Sequence, residues 1–599
     1  MSHQITRRRF LTRGGQCLAL TGLTACSTIP EVSRNFVGSS LRKTHELTGT
    51  EFDLVIGYSQ VNFTGKKRYA TTVNQSLPAP VLRWREGSRV KINVTNHLPS
   101  LTSIHWHGII LPSNMDGVPG LSFDGIAPGE TFTYKFPILQ SGTYWYHSHS
   151  NFQEQTGLYG AIIIDPATPE ADQYDREYVI LLSDWSDENP EAIYRNLKKS
   201  SHFYNRQERT LGDLVGDIQK DGLLNTLDNR AMWNEMRMSD RDISDVAGAT
   251  YEFLMNGAHN ADTWQGEFFS GEKIRLRIVN ASAMTFFDFR IPGLPMQVIA
   301  ADGQLVQPVD VDEFRIAPAE TYDVIIQPEK NNYFIFAQTI DRSGFALGKL
   351  ICDPEKSLEV PQVDPAPILT MEDMGHGGSD HSQHGQQSET KNESHSKHNH
   401  LLMAESQEKL APAGLANSDQ YLSVLPAPDK GDYGIDMRVL NPASGLYDPG
   451  IGLRHHQHLY GRRVLHYGDL KNRFNTLDKR EPSREIQLRI TGNMHRYIWS
   501  IDGLAYDQAP PIELSFNERI RITLINDTMM THPFHLHGMW SELETGDPEF
   551  IPRKHTIIVQ PGKRISYLVA EGRWAYHCHL LYHMLGMMRE VRVVKGDSE

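Results

Sequence analysis

Pairs of histidines separated by one residue are the most distinctive chemical feature of this 599-residue sequence. Two pairs lie near its beginning, in the segments HWHG and HSH, and two lie near its end, in HPFHLHG and HCH. The paired residues are His105 and His107, His147 and His149, His535 and His537, and His577 and His579. Alternate side chains of a β-strand share one face, so each pair would place two imidazoles on the same side. Eight imidazoles are too many for one metal ion and favour a cluster of three ions with positions left open for oxygen.

A cysteine inside the last pair predicts a second, mononuclear site. Cys578 must point away from His577 and His579, toward the face where His532 and His583 could reach it. Two histidines and a thiolate with a weak axial thioether form the blue-copper set, which suits electron transfer. The strand would then be a short covalent path for electrons between the two sites. Zinc, the nearest rival metal, needs neither so many imidazoles nor a redox thiolate placed between them.

Three series of short β-rich runs must position these side chains, and they begin near residues 52, 178 and 485. Short strands with frequent Gly, Pro and Asn turn signals predict antiparallel sandwiches. One phrase recurs in each series as an alternating apolar run that closes on Asn96, Asn280 or Asn526. This weak internal repeat favours duplication of one sandwich unit. We therefore predict an all-β chain of three tandem β-sandwich domains.

The predicted organisation has five segments. They are a leader and short tail at 1–45, a first sandwich at 46–168, a second at 169–355, a linker rich in His and Met at 356–425, and a third sandwich at 426–599 that carries the mononuclear site. The linker is predicted from its Pro, His, Gly and Ser content, which is typical of a surface segment and not of a core.

The leader contains two candidate targeting signals. Residues 6–11 read TRRRFL and precede a short uncharged run, the pattern of a twin-arginine export signal. The run ends in LTAC at Cys26, which resembles a lipobox; the alternative is cleavage after Ala25 with an incidental cysteine. We predict a periplasmic protein, with a lipid anchor in the outer membrane as an open hypothesis and membrane contact only through Cys26.

Composition limits the partners. The net charge of −14 argues against nucleic acid, because an acidic surface repels phosphates and attracts cations. Four cysteines, two of them in the leader, do not make a disulfide framework, whereas 27 histidines and 19 methionines supply many metal ligands.

At its histidine motifs the sequence resembles the multicopper oxidases, and more closely the periplasmic copper-resistance oxidases among them. The resemblance extends from about residue 50 to 595 and includes the segments SIHWHG, SGTYWYHSH, IVNASAMTFFD and TGNM. It implies three cupredoxin-like Greek-key domains and four copper ions, one of type 1, one of type 2 and two of type 3.

The resemblance also divides the ligands among these ions. It implies a type 1 copper held by His532, Cys578 and His583, and a type 2 copper held by His105 and His535. The type 3 pair would take the remaining six histidines, which are His107, His147, His149, His537, His577 and His579.

The axial ligand and the proton source depart from the family pattern. Counting ten residues from Cys578 gives Met588 as the axial ligand, which we prefer, whereas matching the Gly-Met pair gives Met587. Asp116 falls where such oxidases carry a carboxylate that passes protons to reduced oxygen, although an Asp-Gly turn would also explain it. Position 584 is methionine, where some relatives carry an acid.

Three functions fit these sites. The first is oxidation of Cu(I) with four-electron reduction of O2 to water, with Asp527, Met529 and Met530 as a cuprous substrate site and other periplasmic copper-handling proteins as partners. Buried packing is the alternative explanation for both methionines. The second function is a laccase-like oxidation of phenols at the same sites, and the third is copper sequestration without catalysis, which would not need a complete cluster.

Overall fold

Three pairs of β-sheets follow one another along the chain in the computed structural model. The model describes residues 45–594 except 237–238, 372, 374–434, 436, 440–441, 494–495 and 570–573. Each pair of sheets packs face to face around buried apolar side chains, so the predicted fold of three tandem sandwiches is confirmed. The predicted leader with Cys26 and most of the predicted linker lie outside the described residues.

The first sandwich packs a four-stranded sheet, in the order β3-β2-β5-β7, against a five-stranded sheet, in the order β1-β4-β9-β8-β6. Its strands are β1 (Glu46–Thr48), β2 (Glu51–Val61), β3 (Arg68–Val73), β4 (Val81–Arg85), β5 (Arg89–Asn96), β6 (His105–His107), β7 (Thr131–Pro137), β8 (Gly142–His147) and β9 (Tyr159–Asp165). Strand β2 alternates exposed and buried positions, with Phe52, Leu54 and Ile56 turned into the core.

The second sandwich has sheets in the orders β11-β10-β13-β18-β15-β16 and β12-β20-β19-β14-β17. Its strands are β10 (Arg176–Ser186), β11 (Tyr251–Met255), β12 (Trp264–Glu267), β13 (Ile274–Asn280), β14 (Phe287–Arg290), β15 (Met296–Ala301), β16 (Gln304–Val311), β17 (Glu313–Ile316), β18 (Thr321–Ile326), β19 (Tyr333–Thr339) and β20 (Phe345–Ile351).

The third sandwich pairs the sheet β23-β22-β25-β30-β27-β28, to which β21 adds on β30, with the sheet β24-β32-β31-β26-β29. Its strands are β21 (Ala443–Ser444), β22 (Glu485–Asn493), β23 (Ile498–Ile501), β24 (Ile512–Ser515), β25 (Ile520–Asn526), β26 (His532–Leu536), β27 (Ser541–Leu543), β28 (Arg553–Lys554), β29 (Thr556–Val559), β30 (Lys563–Val569), β31 (Trp574–Cys578) and β32 (Met588–Val594).

The recurring sequence phrase occupies the same place in each sandwich. Its copies form β5, β13 and β25, and each pairs in parallel with the long first strand of its sheet, β2, β10 or β22. The closing asparagines Asn96, Asn280 and Asn526 are buried, and each side-chain amide donates to two main-chain carbonyl oxygens at 2.7–3.0 Å. An amide that satisfies two main-chain carbonyls explains why each copy ends in asparagine.

Helices are few and lie outside the sandwiches. They are α1 (Pro190–Lys199), α2 (Leu211–Asp221), α3 (Leu223–Met236), α4 (His456–Tyr460) and α5 (Leu581–Met584). Helix α1 begins where the Asn189 side chain accepts from Ala192 N–H and Pro190 fills the first turn. Within the described residues, every helix is too short or too polar to cross a membrane.

Candidate metal centre

The four histidine pairs lie on two equivalent pairs of strands. In the first sandwich β6 pairs antiparallel with β8, which sets His105 opposite His147. In the third sandwich β26 pairs antiparallel with β31, which sets His535 opposite His577 in the same way. Opposite residues of a strand pair share a face, so each strand pair presents its imidazoles on one side. The two faces meet, and the cluster lies between the first and third sandwiches.

The imidazole nitrogens of the two sandwiches approach one another closely. Nε2 of His577 lies 2.9 Å from Nε2 of His537 and 3.3 Å from Nε2 of His149. Nε2 of His579 lies 3.4 Å from Nε2 of His147. All eight imidazoles predicted from the sequence are therefore brought together. Seven of them are buried, and His149 is partly exposed.

These nitrogens fit metal ions. Nε2 of His105, Nδ1 of His107 and Nε2 of His535 are buried and have no hydrogen-bond partner among the described residues. Burial, assisted by the neighbouring imidazoles, lowers the pKa of His107 and His535 well below the usual range, so both rings stay neutral. Neutral imidazoles with converging lone pairs are the ligands that copper prefers in such sites, and a cation between them would remove the cost of burying unpaired nitrogens.

The Asp116 carboxylate lies beside the Nδ1 atoms of two of these rings. Its Oδ2 accepts from Nδ1 of His537 at 2.9 Å, and its Oδ1 lies 3.2 Å from Nδ1 of His105, which is bonded to the Asp116 carbonyl oxygen at 2.9 Å. Gly117 follows with φ +79°, and a β-carbon there would overlap the Ile104 carbonyl oxygen. The Asp-Gly turn and the carboxylate contact are thus both present. The geometry supports a positioning role for Asp116, and proton transfer through it stays a prediction.

Glu154 is a carboxylate near the cluster that the sequence pattern did not reveal. Its Oε2 lies 2.7 Å from Nδ1 of His147, and the side chain is 1% exposed. Neither carboxylate oxygen makes a directed hydrogen bond within the described part of the chain. Burial raises the pKa of Glu154 well above its usual value. A carboxylate at the outer nitrogen of a ligand histidine fixes the orientation of the ring.

The predicted mononuclear set also converges. Sγ of Cys578 lies 3.5 Å from Nδ1 of His532 and 4.0 Å from Nδ1 of His583, and the two Nδ1 atoms are 3.2 Å apart. All three side chains are fully buried. Burial raises the pKa of the Cys578 thiol, so a thiolate here needs a cation beside it. Two histidines and one cysteine around one point fit a single copper ion.

The strand register favours Met587 over Met588 as the axial ligand. In the ladder between β31 and β32, Met588 lies opposite His577 and therefore shares the face of the imidazole cluster. The next pair sets Met587 opposite Cys578, whose N–H donates to the Met587 carbonyl oxygen at 3.0 Å. Met587 is fully buried, whereas Met588 is partly exposed. Our preference for Met588 rested on chain distance, and the chain between His583 and β32 is one residue too short for that count.

Three further side chains fix the rings of this mononuclear site. Nε2 of His583 lies 2.5 Å from Oδ2 of Asp245, which belongs to the connection between α3 and β11. Trp499 stacks on the same ring, with centroids 4.0 Å apart and planes inclined by 26°. Thr528 is bonded to Nε2 of His532 at 2.7 Å. Both histidines therefore turn Nδ1 toward Cys578.

The predicted cuprous site has other partners. Asp527 is in an ion pair with Arg489 at 3.0 Å, and its second oxygen accepts from the Val439 N–H at 2.9 Å. Met529 and Met530 are 1% and 2% exposed and belong to the apolar core. Both carboxylate oxygens of Asp527 therefore have protein partners. By contrast, Asp245 contacts His583, a predicted type 1 ligand, directly, although no spacing pattern in the sequence pointed to Asp245.

Comparison with known proteins agrees with this geometry. Family models described as "Multicopper oxidase" match residues 55–169, 176–349 and 479–597. The chain is 52% identical to Copper resistance protein A of Escherichia coli, over 92% of this chain and 94% of that protein. It is 51% identical to a Copper resistance protein A homolog of Pseudomonas syringae pv. tomato, over 91% of this chain and 93% of that protein.

A solved structure extends the likeness to the fold. The crystal structure of the laccase from Botrytis aclada covers 92% of this chain and 88% of its own, with a TM-score of 0.58 and 20% sequence identity. The predicted family is therefore confirmed by the sequence matches and the predicted fold by the structural one. The chain belongs to the multicopper oxidase family and is an oxidoreductase.

Proposed function

We propose that this chain is a copper-tolerance oxidase that converts Cu(I) to Cu(II) and uses dioxygen as the electron acceptor. Four Cu(I), one O2 and four protons give four Cu(II) and two water molecules. Relatives at about half identity carry the name Copper resistance protein A, which supports this substrate. Four bound copper ions, one at the mononuclear site and three in the cluster, would supply the one-electron redox chemistry.

The observation that carries the proposal is the junction of both donor sets on β31. Cys578 faces His532 and His583, while its two neighbours His577 and His579 face the cluster. Nδ1 of His577 is bonded to the Cys578 carbonyl oxygen at 3.0 Å, which adds a second connection to the covalent one. An electron that enters at the mononuclear site therefore has a path of one or two residues to the cluster.

The surroundings of His583 favour a cationic reductant. Asp245 contacts its Nε2, and the second oxygen of Asp245 has no hydrogen-bond partner among the described residues. Asp242 is buried nearby, and burial together with the charge of Asp245 raises the pKa of Asp242. A cation that approaches Asp242 and Asp245 is attracted, because in the described part of the chain few positive charges lie near these two buried carboxylates to balance them. A phenol has less access, since His583 is fully buried under Trp499.

The residues around the cluster hold protons in fixed places. If Nδ1 of His105 and His537 keep their protons on Asp116, and Nδ1 of His147 keeps its proton on the Ser148 carbonyl oxygen beside Glu154, then each Nε2 is free for a metal ion. Such fixed tautomers reduce the reorganisation that metal binding requires.

The proposal includes location and organisation. The leader would send the chain to the periplasm, where other copper-handling proteins are partners, and lipidation of Cys26 would anchor it to the outer membrane. The domain borders follow the predicted segments 46–168, 169–355 and 426–599, with 356–425 as a linker.

The decisive experiment is oxygen consumption by the copper-loaded protein. Purified protein receives Cu(I) in one cell and a phenolic donor in the other, and Cys578→Ser is the matched control. Rapid uptake with Cu(I), slow uptake with phenol and none above background in the variant support the proposal. Uptake with phenol alone would instead indicate a laccase activity, and full copper content without any uptake would indicate sequestration.

A further inference from the structure

A ninth imidazole, which is buried, lies against the cluster and outside the four histidine pairs that form it. His555 separates β28 from β29 and is 1% exposed. Its Nδ1 lies 3.2 Å from Nε2 of His107, and the two rings meet edge to face with centroids 4.7 Å apart. No spacing motif in the sequence connects these residues, which are 448 positions apart.

The tautomer of His107 defines what His555 can do. Nδ1 of His107 has no partner in the described part of the chain, which leaves it as the nitrogen for a metal ion. A neutral imidazole that binds metal through Nδ1 carries its proton on Nε2. In that tautomer the N–H is donated to Nδ1 of His555, and His555 carries its own proton on Nε2, which is buried without a hydrogen-bond partner among the described residues.

The ring of His555 is packed directly on the chain next to His107. A β-carbon at position 108 would lie 2.4 Å from Cδ2 and 2.6 Å from Nε2 of His555. Only glycine fits at Gly108, so the sequence HWHG leaves space for this imidazole. The close approach restricts the ring and makes it a rigid acceptor.

The middle sandwich holds His555 in place, although it supplies none of the predicted metal ligands. Oδ2 of Asp302, in the turn between β15 and β16, accepts from the backbone N–H groups of His555 and Thr556 at 3.1 and 3.0 Å. The same oxygen lies 3.0 Å from Nζ of Lys554, and Lys554 and Asp302 are fully buried. A buried ion pair thereby fixes the backbone from which the imidazole extends.

We infer that His555 is a positioning residue that accepts a hydrogen bond from Nε2 of His107 and thereby directs Nδ1 of His107 into the metal cluster. This inference rests on the proposed function of the cluster. The hydroxyl of Thr556 is the competing acceptor, because Oγ1 also lies 3.2 Å from Nε2 of His107. The imidazole is the stronger base of the two. Among the described residues, its Nδ1 has one other hydrogen-bond contact, to that same hydroxyl at 3.1 Å.

Three variants separate the acceptor from its surroundings. In His555→Asn the amide oxygen occupies the place of Nδ1 and can still accept, whereas in His555→Gln the polar group reaches the place of Nε2 instead. Thr556→Val removes the competing hydroxyl. All three keep the main-chain carbonyl of residue 555, which accepts from Nδ1 of His535 at 2.7 Å. Far-UV circular dichroism checks that each variant folds.

The readouts are copper content per chain during titration with a competing chelator and the blue absorbance of the Cys578 site. We expect His555→Gln to release cluster copper at 10- to 100-fold lower chelator concentration, the usual effect of losing a partner of a ligand histidine. His555→Asn and Thr556→Val should release it within a few-fold of the native protein, with the blue absorbance unchanged in all three.

Equal loss in His555→Asn and His555→Gln would overturn the inference and make His555 itself a metal ligand. A loss confined to Thr556→Val would assign the role to the hydroxyl, and native retention in all three variants would show that His107 needs no partner. If the native protein itself bound copper only at the blue site, the proposed function would fail as well, and the two failures are therefore distinguishable.

Discussion

Replacement of Asp116 by asparagine tests how the cluster is held. The carboxylate accepts a charge-assisted bond from Nδ1 of His537 at 2.9 Å, and its other oxygen lies 3.2 Å from Nδ1 of His105. In Asp116→Asn the amide oxygen can stay on His537, while the NH2 group faces the N–H of His105. Charge-assisted bonds exceed neutral ones by about 1.4 kcal/mol, which is about tenfold in copper affinity. In Asp116→Ala the whole contact is lost, and we expect a roughly 100-fold decrease.

The assay is copper retention against a graded chelator, with the blue absorbance of the distant Cys578 site as internal control. The expected order of affinity is native, then asparagine, then alanine, with the blue absorbance constant. Equal copper affinity in all three proteins, together with a slower turnover, would refute the positioning argument and leave proton handling as the role of Asp116. A simultaneous loss of blue absorbance would indicate general unfolding instead.

Three further outcomes follow from the structure. Cys578→Ser should lose the blue colour and the activity but keep the native circular dichroism, and turnover in this variant would contradict the electron path. Burial raises the pKa of Asp245 to about 7. Asp245→Asn therefore removes a negative charge beside the blue site above that pH, and a redox titration above pH 7 should give a higher reduction potential; an unchanged or lower value would contradict that contact. Burial raises the pKa of Glu177, but Arg277 and Arg83 outweigh it and bring the pKa to about 2. The carboxylate therefore stabilises the fold above pH 4.5 and less as the pH falls toward 2. The urea midpoints of Glu177→Gln and the native protein should converge over that range, and a gap that stays constant with pH would exclude this ion pair as the cause.

The strands and donors followed from local pattern. The recurring phrases lie in β5, β13 and β25, as predicted from their alternating apolar residues. Only β5 buries a single face, whereas β13 and β25 are buried along their whole length. Strand alternation alone predicts that each histidine pair shares one face. His105 and His535 occupy equivalent positions in duplicated sandwiches, and the pairs therefore converge. That part of the site is encoded within a few residues of chain.

The remaining features depend on contacts between distant segments. Asp245 and His555 are single residues without a motif, and each acquires its role only when another element packs against it. Glu154 lies close to His147 in sequence, but no motif marks it. The choice between Met587 and Met588 required the register of β32, which chain distance alone does not determine. Helices α1 to α3 lie in an insertion between β10 and β11 that the surrounding strand pattern does not predict, and the apolar residues of α3 show little helical period.

The division of the cluster between the two ends of the chain has a consequence for synthesis. Strands β6 and β8 leave the ribosome first, while β26 and β31 are among the last to appear. A chain cut anywhere between His149 and His535 retains only half of the imidazoles, on a single open edge, and would bind copper weakly. Truncated or half-made molecules should therefore carry little redox-active copper, so that reactive metal is confined to chains that have been completed.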